Sequence, residues 1–199
     1  MSLAVSLPDL MPPAFADGLD DWSRGDGTPD SATYEASGIA RLARDADLGP
    51  CLELRTVEPV QRLRYMGELP VPAGAYLVVE TRIKVLRGPL PGLRIAAWPG
   101  GRFGRCVEGL ATAGPVVRIA APGTIVPLAA VIGPAPGPGV TLAWDARVLY
   151  AHVGLDLLDA LGAVVRIESL AVREVTDRFV AGGRLPGFGV PPPRPPFRK

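Results

Sequence analysis

The chain has 199 residues, one domain's worth by length, with 21 Lys+Arg against 20 Asp+Glu and a formal charge of +1. Such a balance removes the electrostatic case for a nucleic-acid or anionic-membrane partner, and 48% apolar residues with a mean hydropathy of +0.24 leave no case for global disorder. Glycine (24) and proline (23) make up almost a quarter of the residues, about double ordinary usage, so long helices are excluded.

The first dozen residues read as an extended apolar arm, residues 1–12, carrying Leu3 and Leu7 and closing on Pro12 and Pro13. Next comes FADGLDDWSRGDG, in which Asp17, Asp20, Asp21 and Asp26 crowd together. This spacing is ordinary turn chemistry, and the same carboxylates would also suit a structural calcium site or an acid–base pair. From Phe15 to Thr176 the chain repeats short apolar runs bounded by Gly, Pro and Asp. The clearest is Tyr76–Val85, with Leu77, Val79, Ile83 and Val85 on one face and Glu80, Arg82 and Lys84 on the other. A period of two with polar residues on one side is a half-buried strand. Gln61–Tyr65 alternates similarly, Leu63 and Tyr65 inward and Arg62 and Arg64 outward, as does Leu93–Ala97. Gly38–Leu42, Cys51–Val57, Val107–Leu110, Val116–Ile119, Thr124–Ile132, Val140–Trp144, Val148–Leu157 and Ala163–Val175 suit strands by length. In the last, the apolar set moves from Ala163, Val165 and Ile167 to Leu170 and Val172, the parity change a β-bulge produces. Leu155–Leu161 is the one place a helical turn could hide. About eleven strands at this spacing predict an all-β, antiparallel two-sheet β-sandwich (jelly roll) over residues 13–176, with Leu77, Val79, Ile83, Leu93 and Ile95 in its core. Residues 177–199, ending in PPPRPPFRK, predict an extended proline-rich C-terminal tail with Phe188 and Phe197 as apolar anchors.

The residues that could carry chemistry are few. Cys51 and Cys106 form neither a disulfide framework nor a CxxC motif, and are expected reduced, buried or partly buried, and without a catalytic part. His152 is the only histidine, it lies in a strand-like run, and there is no GxSxG elbow, so nucleophilic catalysis lacks its parts. No metal or other cofactor is expected. The N-terminus lacks the basic and long apolar regions of a signal peptide, and no apolar stretch is long enough for a membrane helix, which predicts a cytoplasmic site of synthesis. Sugar-binding surfaces present a flat ring beside polar groups for the hydroxyls. Trp98 shares the strand parity of Arg94, opposite the Leu93/Ile95/Ala97 face, so both should project outward as candidate ligand or partner contacts. Parity does not orient Trp22, Trp144 or Tyr150.

The run MPPAFADGLDDWSRGDGTPDSATY, with LGPCLEL, QRLRYMGE, AYLVVETRIK, LPGLRIAAW, WDARVLYAHVGLDL and AVVRIESLAVREVT after it, resembles an N-terminal β-sandwich module of marine and photosynthetic alphaproteobacteria. The resemblance covers about Pro12–Thr176. That module usually precedes a right-handed β-helix of pectate-lyase-like type and is similar in layout to jelly-roll carbohydrate-binding modules. A free-standing version resembles the head-spike base proteins of phage-like gene transfer agents. This resemblance implies a non-enzymatic structural and adhesion component, assembled in the cytoplasm and exposed on the released particle. It also implies capsid protein at fivefold vertices and a spike fibre protein as partners, a homo-oligomer of five, and help in attachment to capsular polysaccharide. The terminal anchors Leu3, Leu7, Phe188 and Phe197 are the expected docking residues. A free-standing carbohydrate-binding module is the alternative.

Overall fold

The computed structural model describes residues 8–12, 15, 18–25 and 33–175. Leu3, Leu7, Phe188 and Phe197, together with Asp17 and Asp26, lie outside the described residues. Among the described residues there are thirteen strands, one short α-helix and a single turn of 3-10 helix at Arg102–Gly104. One sheet comprises β1 (Trp22–Ser23), β4 (Val60–Tyr65), β11 (Tyr150–Leu158), β7 (Gly92–Gly100) and β8 (Val117–Arg118) in that order, with β5 (Leu69–Pro70) also on β11. The second runs β10 (Leu142–Ala143), β9 (Ile125–Gly133), β6 (Tyr76–Arg87), β12 (Val164–Glu168), β3 (Gly49–Arg55) and β2 (Ala40–Asp45), with β13 (Ala171–Val175) also on β6. The pairings are antiparallel except a two-residue parallel pair between β9 and β10. This is the two-sheet sandwich the alternation predicts.

The inner faces meet through the residues parity assigns to them. Leu77, Val79, Ile83 and Leu93 are fully buried and Ile95 is 2% exposed. They pack with Leu63 of β4, Leu52 and Leu54 of β3, Val153 and Leu155 of β11, and Val165 and Ile167 of β12. Burying one such side chain is worth about 1.5–3 kcal/mol. The helix Tyr34–Ser37 drops Tyr34 into this core, where its hydroxyl donates to the Arg62 carbonyl and accepts from Gln61 Nε2 at 2.9 Å. Burial pushes that phenol well above its ordinary value.

Four local expectations change. Val107–Leu110 is not a strand: Gly109 turns the chain at φ 81°, leaving an isolated bridge between Cys106 and Gly100. Leu155–Leu161 holds no helical turn, because Leu155–Leu158 completes β11 before a turn at Asp159. Ala163–Val175 divides into β12 and β13. Ile167 faces Ile83 and Ala171 faces Glu80, so four steps along one strand match three along β6, the extra residue the parity change implies. Cys51 is buried as expected, but Cys106 is exposed, a correction that follows from its place beside the turn at Arg102–Gly104.

Part of the expected N-terminal arm lies against β13. Asp9 bridges Arg173, Leu10 N donates to the Val172 carbonyl at 2.8 Å, and Asp9 Oδ1 accepts from Val172 N at 2.9 Å, with Met11 buried beyond. Among the described residues no helix is long and apolar enough to cross a membrane.

Candidate functional site

The two outer faces differ. On the second sheet the charges are matched side chain to side chain. Arg41, Glu53, Arg166, Asp45, Lys84 and Asp47 form one chain of ion pairs across β2, β3, β12 and β6. Arg166 foremost, through its hydrogen bond, holds the Asp45 carboxyl well below the usual carboxylate range. A groove of about 460 Å³ lies beside it, but its charged residues are already engaged: Arg82 with Glu168, Arg173 with Glu80, and Asp9 with two backbone amides. A face whose polar groups are satisfied internally has little left for a ligand.

The outer face of the first sheet is built from rows across its strands. The first row is Arg62–Asp156–Arg94, set by the register of β4, β11 and β7. Asp156 is 1% exposed, and both its oxygens are taken: Oδ1 accepts from Arg62 Nε at 3.1 Å, and Oδ2 from Arg94 Nε and Nη2 at 2.9 and 2.8 Å. The second row is Arg64–Gly154–Ala96. The third pairs His152 with Trp98, and the fourth pairs Tyr150 with Gly100. Along β7 the rows span seven residues, Arg94 to Gly100, roughly 20 Å at strand rise.

Gly154 organises the middle. A Cβ there would collide with the Leu63 carbonyl oxygen and lie 2.9 Å from Arg64 Cα, so β4 and β11 approach at a distance only glycine permits. With no side chain on Gly154, the guanidinium of Arg64 crosses β11 to lie 4.7 Å from the centroid of the Trp98 ring, and that of Arg62 lies 5.0 Å from it. Guanidinium over indole is an attractive cation–π arrangement, worth about 0.5–2 kcal/mol. Next to them, His152 Nδ1 donates to the Gly67 carbonyl at 3.1 Å while the ring meets Tyr150 edge-on at 5.4 Å. Burial, and then the charge of Arg64, hold the imidazole below its ordinary value, leaving Nε2 as an acceptor. Burial also raises the Tyr150 phenol, with Glu68 beside it.

Trp98 and Arg94 therefore both project outward, as their parity implies, though Arg94 is committed to Asp156 and Trp98 is half-buried beneath two arginines. The other two tryptophans are structural. Trp22 packs between Phe15 and Tyr65, and Trp144 donates its indole N–H to the Ala111 carbonyl at 2.7 Å. Missing from the sequence reading as site residues are Arg62, Arg64, Gly154, Asp156, Tyr150 and His152. The alternation Tyr150, His152, Asp156 against Ala151, Val153, Leu155 carried the signal for half of them. Asp20 and Asp21 are exposed in a turn, and among the described residues no three His, Cys, Asp or Glu side chains gather as a metal site.

The fold is that of a jelly-roll β-sandwich. No protein-family model matches the sequence, and no curated protein matches it. Solved structures do match in fold. The C-terminal family 22 carbohydrate-binding module of Clostridium thermocellum Xyn10B superposes with a TM-score of 0.54 at 13% identity, over 83% of this chain and 93% of that one. The tandem family 22 modules of Paenibacillus barcinonensis Xyn10C give 0.55 at 13% identity, over 88% of this chain and 47% of that one. The enzymatically active domain of tailspike protein 4 from bacteriophage CBA120 gives 0.53 at 10% identity; 84% of this chain is covered, but only 21% of the tailspike. At these identities the likeness is one of fold.

Proposed function

We propose that the protein is a non-enzymatic adhesion module that binds polysaccharide on the outer face of its first sheet. The observation that carries this reading is the Trp98 row: an outward indole with two guanidiniums, an imidazole acceptor and a tyrosine beside it, on a sandwich whose other two tryptophans are spent in the core. Sugar hydroxyls are held by convergent donors and acceptors, which the guanidiniums ordered over the indole, the imidazole and the tyrosine supply. Jelly-roll carbohydrate-binding modules among the fold neighbours support it.

Within that reading, the resemblance to head-spike base proteins and the tailspike neighbour favour a particle-borne role. The sandwich would sit at the fivefold vertices of a phage-like capsid as a ring of five, hold a separate fibre protein, and help attach the particle to capsular polysaccharide. Its termini, with Leu3, Leu7, Phe188 and Phe197, would dock on those partners. The test combines gel filtration with a pull-down on immobilised capsular polysaccharide. A pentamer that is retained, and that loses retention on Trp98→Ala, supports the spike base. A retained monomer supports the free-standing module. A protein not retained, or retained equally after Trp98→Ala, refutes this face as the site.

A further inference from the structure

We propose, resting on that glycan reading, that the polysaccharide is an acidic one whose carboxylates, of the uronic-acid class, are read by Arg62. The argument begins with a mismatch of valence. Asp156 is one buried carboxylate shared by two guanidiniums, so the Arg62–Asp156–Arg94 row carries one net positive charge within a half-buried surface. Arg94 uses Nε and Nη2 on Asp156, whereas Arg62 uses only Nε. The two terminal nitrogens of Arg62 hold no hydrogen bond among the described residues, and its side chain is 27% exposed. Asp156 fixes this guanidinium at one end and Trp98 at its face, leaving the fork of N–H donors ordered and, among the described residues, unspent. A fork of that geometry matches the two oxygens of a carboxylate.

The far end of the strip repeats the sign. Beyond Gly100 the chain turns through Arg102–Gly104, and Arg102 and Arg105 are exposed and form no ion pair among the described residues. The opposing carboxylates there are Glu68, beside Tyr150, and Glu108, which shares a groove with Arg102 and Arg105 without pairing to either. Across the middle of the second sheet Arg82, Lys84, Arg166 and Arg173 are each paired with an acid, whereas beside Trp98 the terminal nitrogens of Arg62 meet no acid among the described residues. An uncharged glycan would leave the Arg62 fork with hydroxyls alone; a uronate would complete it.

The experiment measures affinity of the full chain for polygalacturonate, dextran sulfate and neutral xylan by isothermal titration at 50 and 300 mM NaCl. Polygalacturonate is expected to bind at least ten-fold more tightly than xylan and to weaken several-fold at the higher salt, as exposed charges are screened within about 10 Å. Arg62→Gln should remove most of that preference, and Arg62→Lys, which keeps the charge but not the fork, should remove part of it. Arg105→Gln, at an exposed side chain with no ion pair among the described residues, should flatten the salt dependence without altering folding. Equal affinity for xylan and polygalacturonate overturns the acidic assignment while leaving the glycan reading intact. Preference for dextran sulfate over polygalacturonate overturns the carboxylate assignment. Binding to none of the three polymers overturns the assignment as well. The glycan reading falls with it only if the capsular-polysaccharide pull-down also fails or is insensitive to Trp98→Ala.

Discussion

Replacing Gly154 by Ala tests the geometry that builds the face. The added Cβ would collide with the Leu63 carbonyl oxygen, and would sit 2.9 Å from Arg64 Cα and 3.0 Å from Leu63 C. All three belong to the backbone of β4, so no rotamer change can make room, and β4 must move away from β11 along a ladder that runs from Val60 to Arg64. Overpacking of this kind costs about 1–3 kcal/mol, and lengthening adjacent ladder hydrogen bonds adds about 1 kcal/mol. The expected loss is about 2–4 kcal/mol, which for a chain of this size lowers Tm by roughly 5–15 °C. Thermal unfolding followed by circular dichroism, with urea titration to confirm an unchanged slope, measures it. The shift should also dislodge Arg64 from Trp98, changing the emission of that indole in the folded state. A variant with Tm within 2 °C of the parent and unchanged fluorescence would refute the claim that Gly154 sets the spacing of these strands.

Ile83→Ala, at a fully buried position between the sheets, should cost about 2–5 kcal/mol in urea unfolding; a loss under about 1 kcal/mol would mean the faces of β6 are reversed. A thiol reagent should titrate one cysteine in the folded protein, Cys106, and the second only in denaturant, since Cys51 is buried and its burial pushes the thiol up; two rapid equivalents in the native state would contradict this. His152, held below its ordinary value by burial and by Arg64, stabilises the fold in its neutral form. That contribution is present above the ordinary histidine value and is lost as pH falls through it, so the protein should lose stability between pH 7.5 and 5.5 and His152→Gln should lose less; an equal loss in both would show that another group titrates.

Local patterns carried the sandwich because its central strands are long enough to alternate. Twelve residues of β6 and nine of β7 declare their two faces, and the same parity places Trp98 outward. Trp22 and Trp144 could not be oriented because each sits in or beside a two-residue strand, too short for a period. The site itself was only half legible. Arg62 is 94 residues from Asp156 and Arg94 is 62 residues from it, and they meet only because β4 and β7 flank β11, an order no local period encodes. The burial of Arg64 depends on Gly154, in the strand that separates it from Trp98, a juxtaposition set by register alone. Val107–Leu110 misled because apolar residues around Gly109 mimic a strand where the chain in fact turns.

The most direct test of the glycan-binding face is amide chemical-shift mapping of the 20.8 kDa chain on titration with polygalacturonate oligomers. Perturbations should concentrate on Arg62 and Arg64 of β4, His152 and Gly154 of β11, Ala96 and Trp98 of β7, and the Arg102–Arg105 turn. Shifts confined to Glu80, Arg82, Glu168 and Arg173 on the opposite sheet would contradict the choice of face, and no shifts at millimolar ligand would contradict its assignment to an acidic glycan.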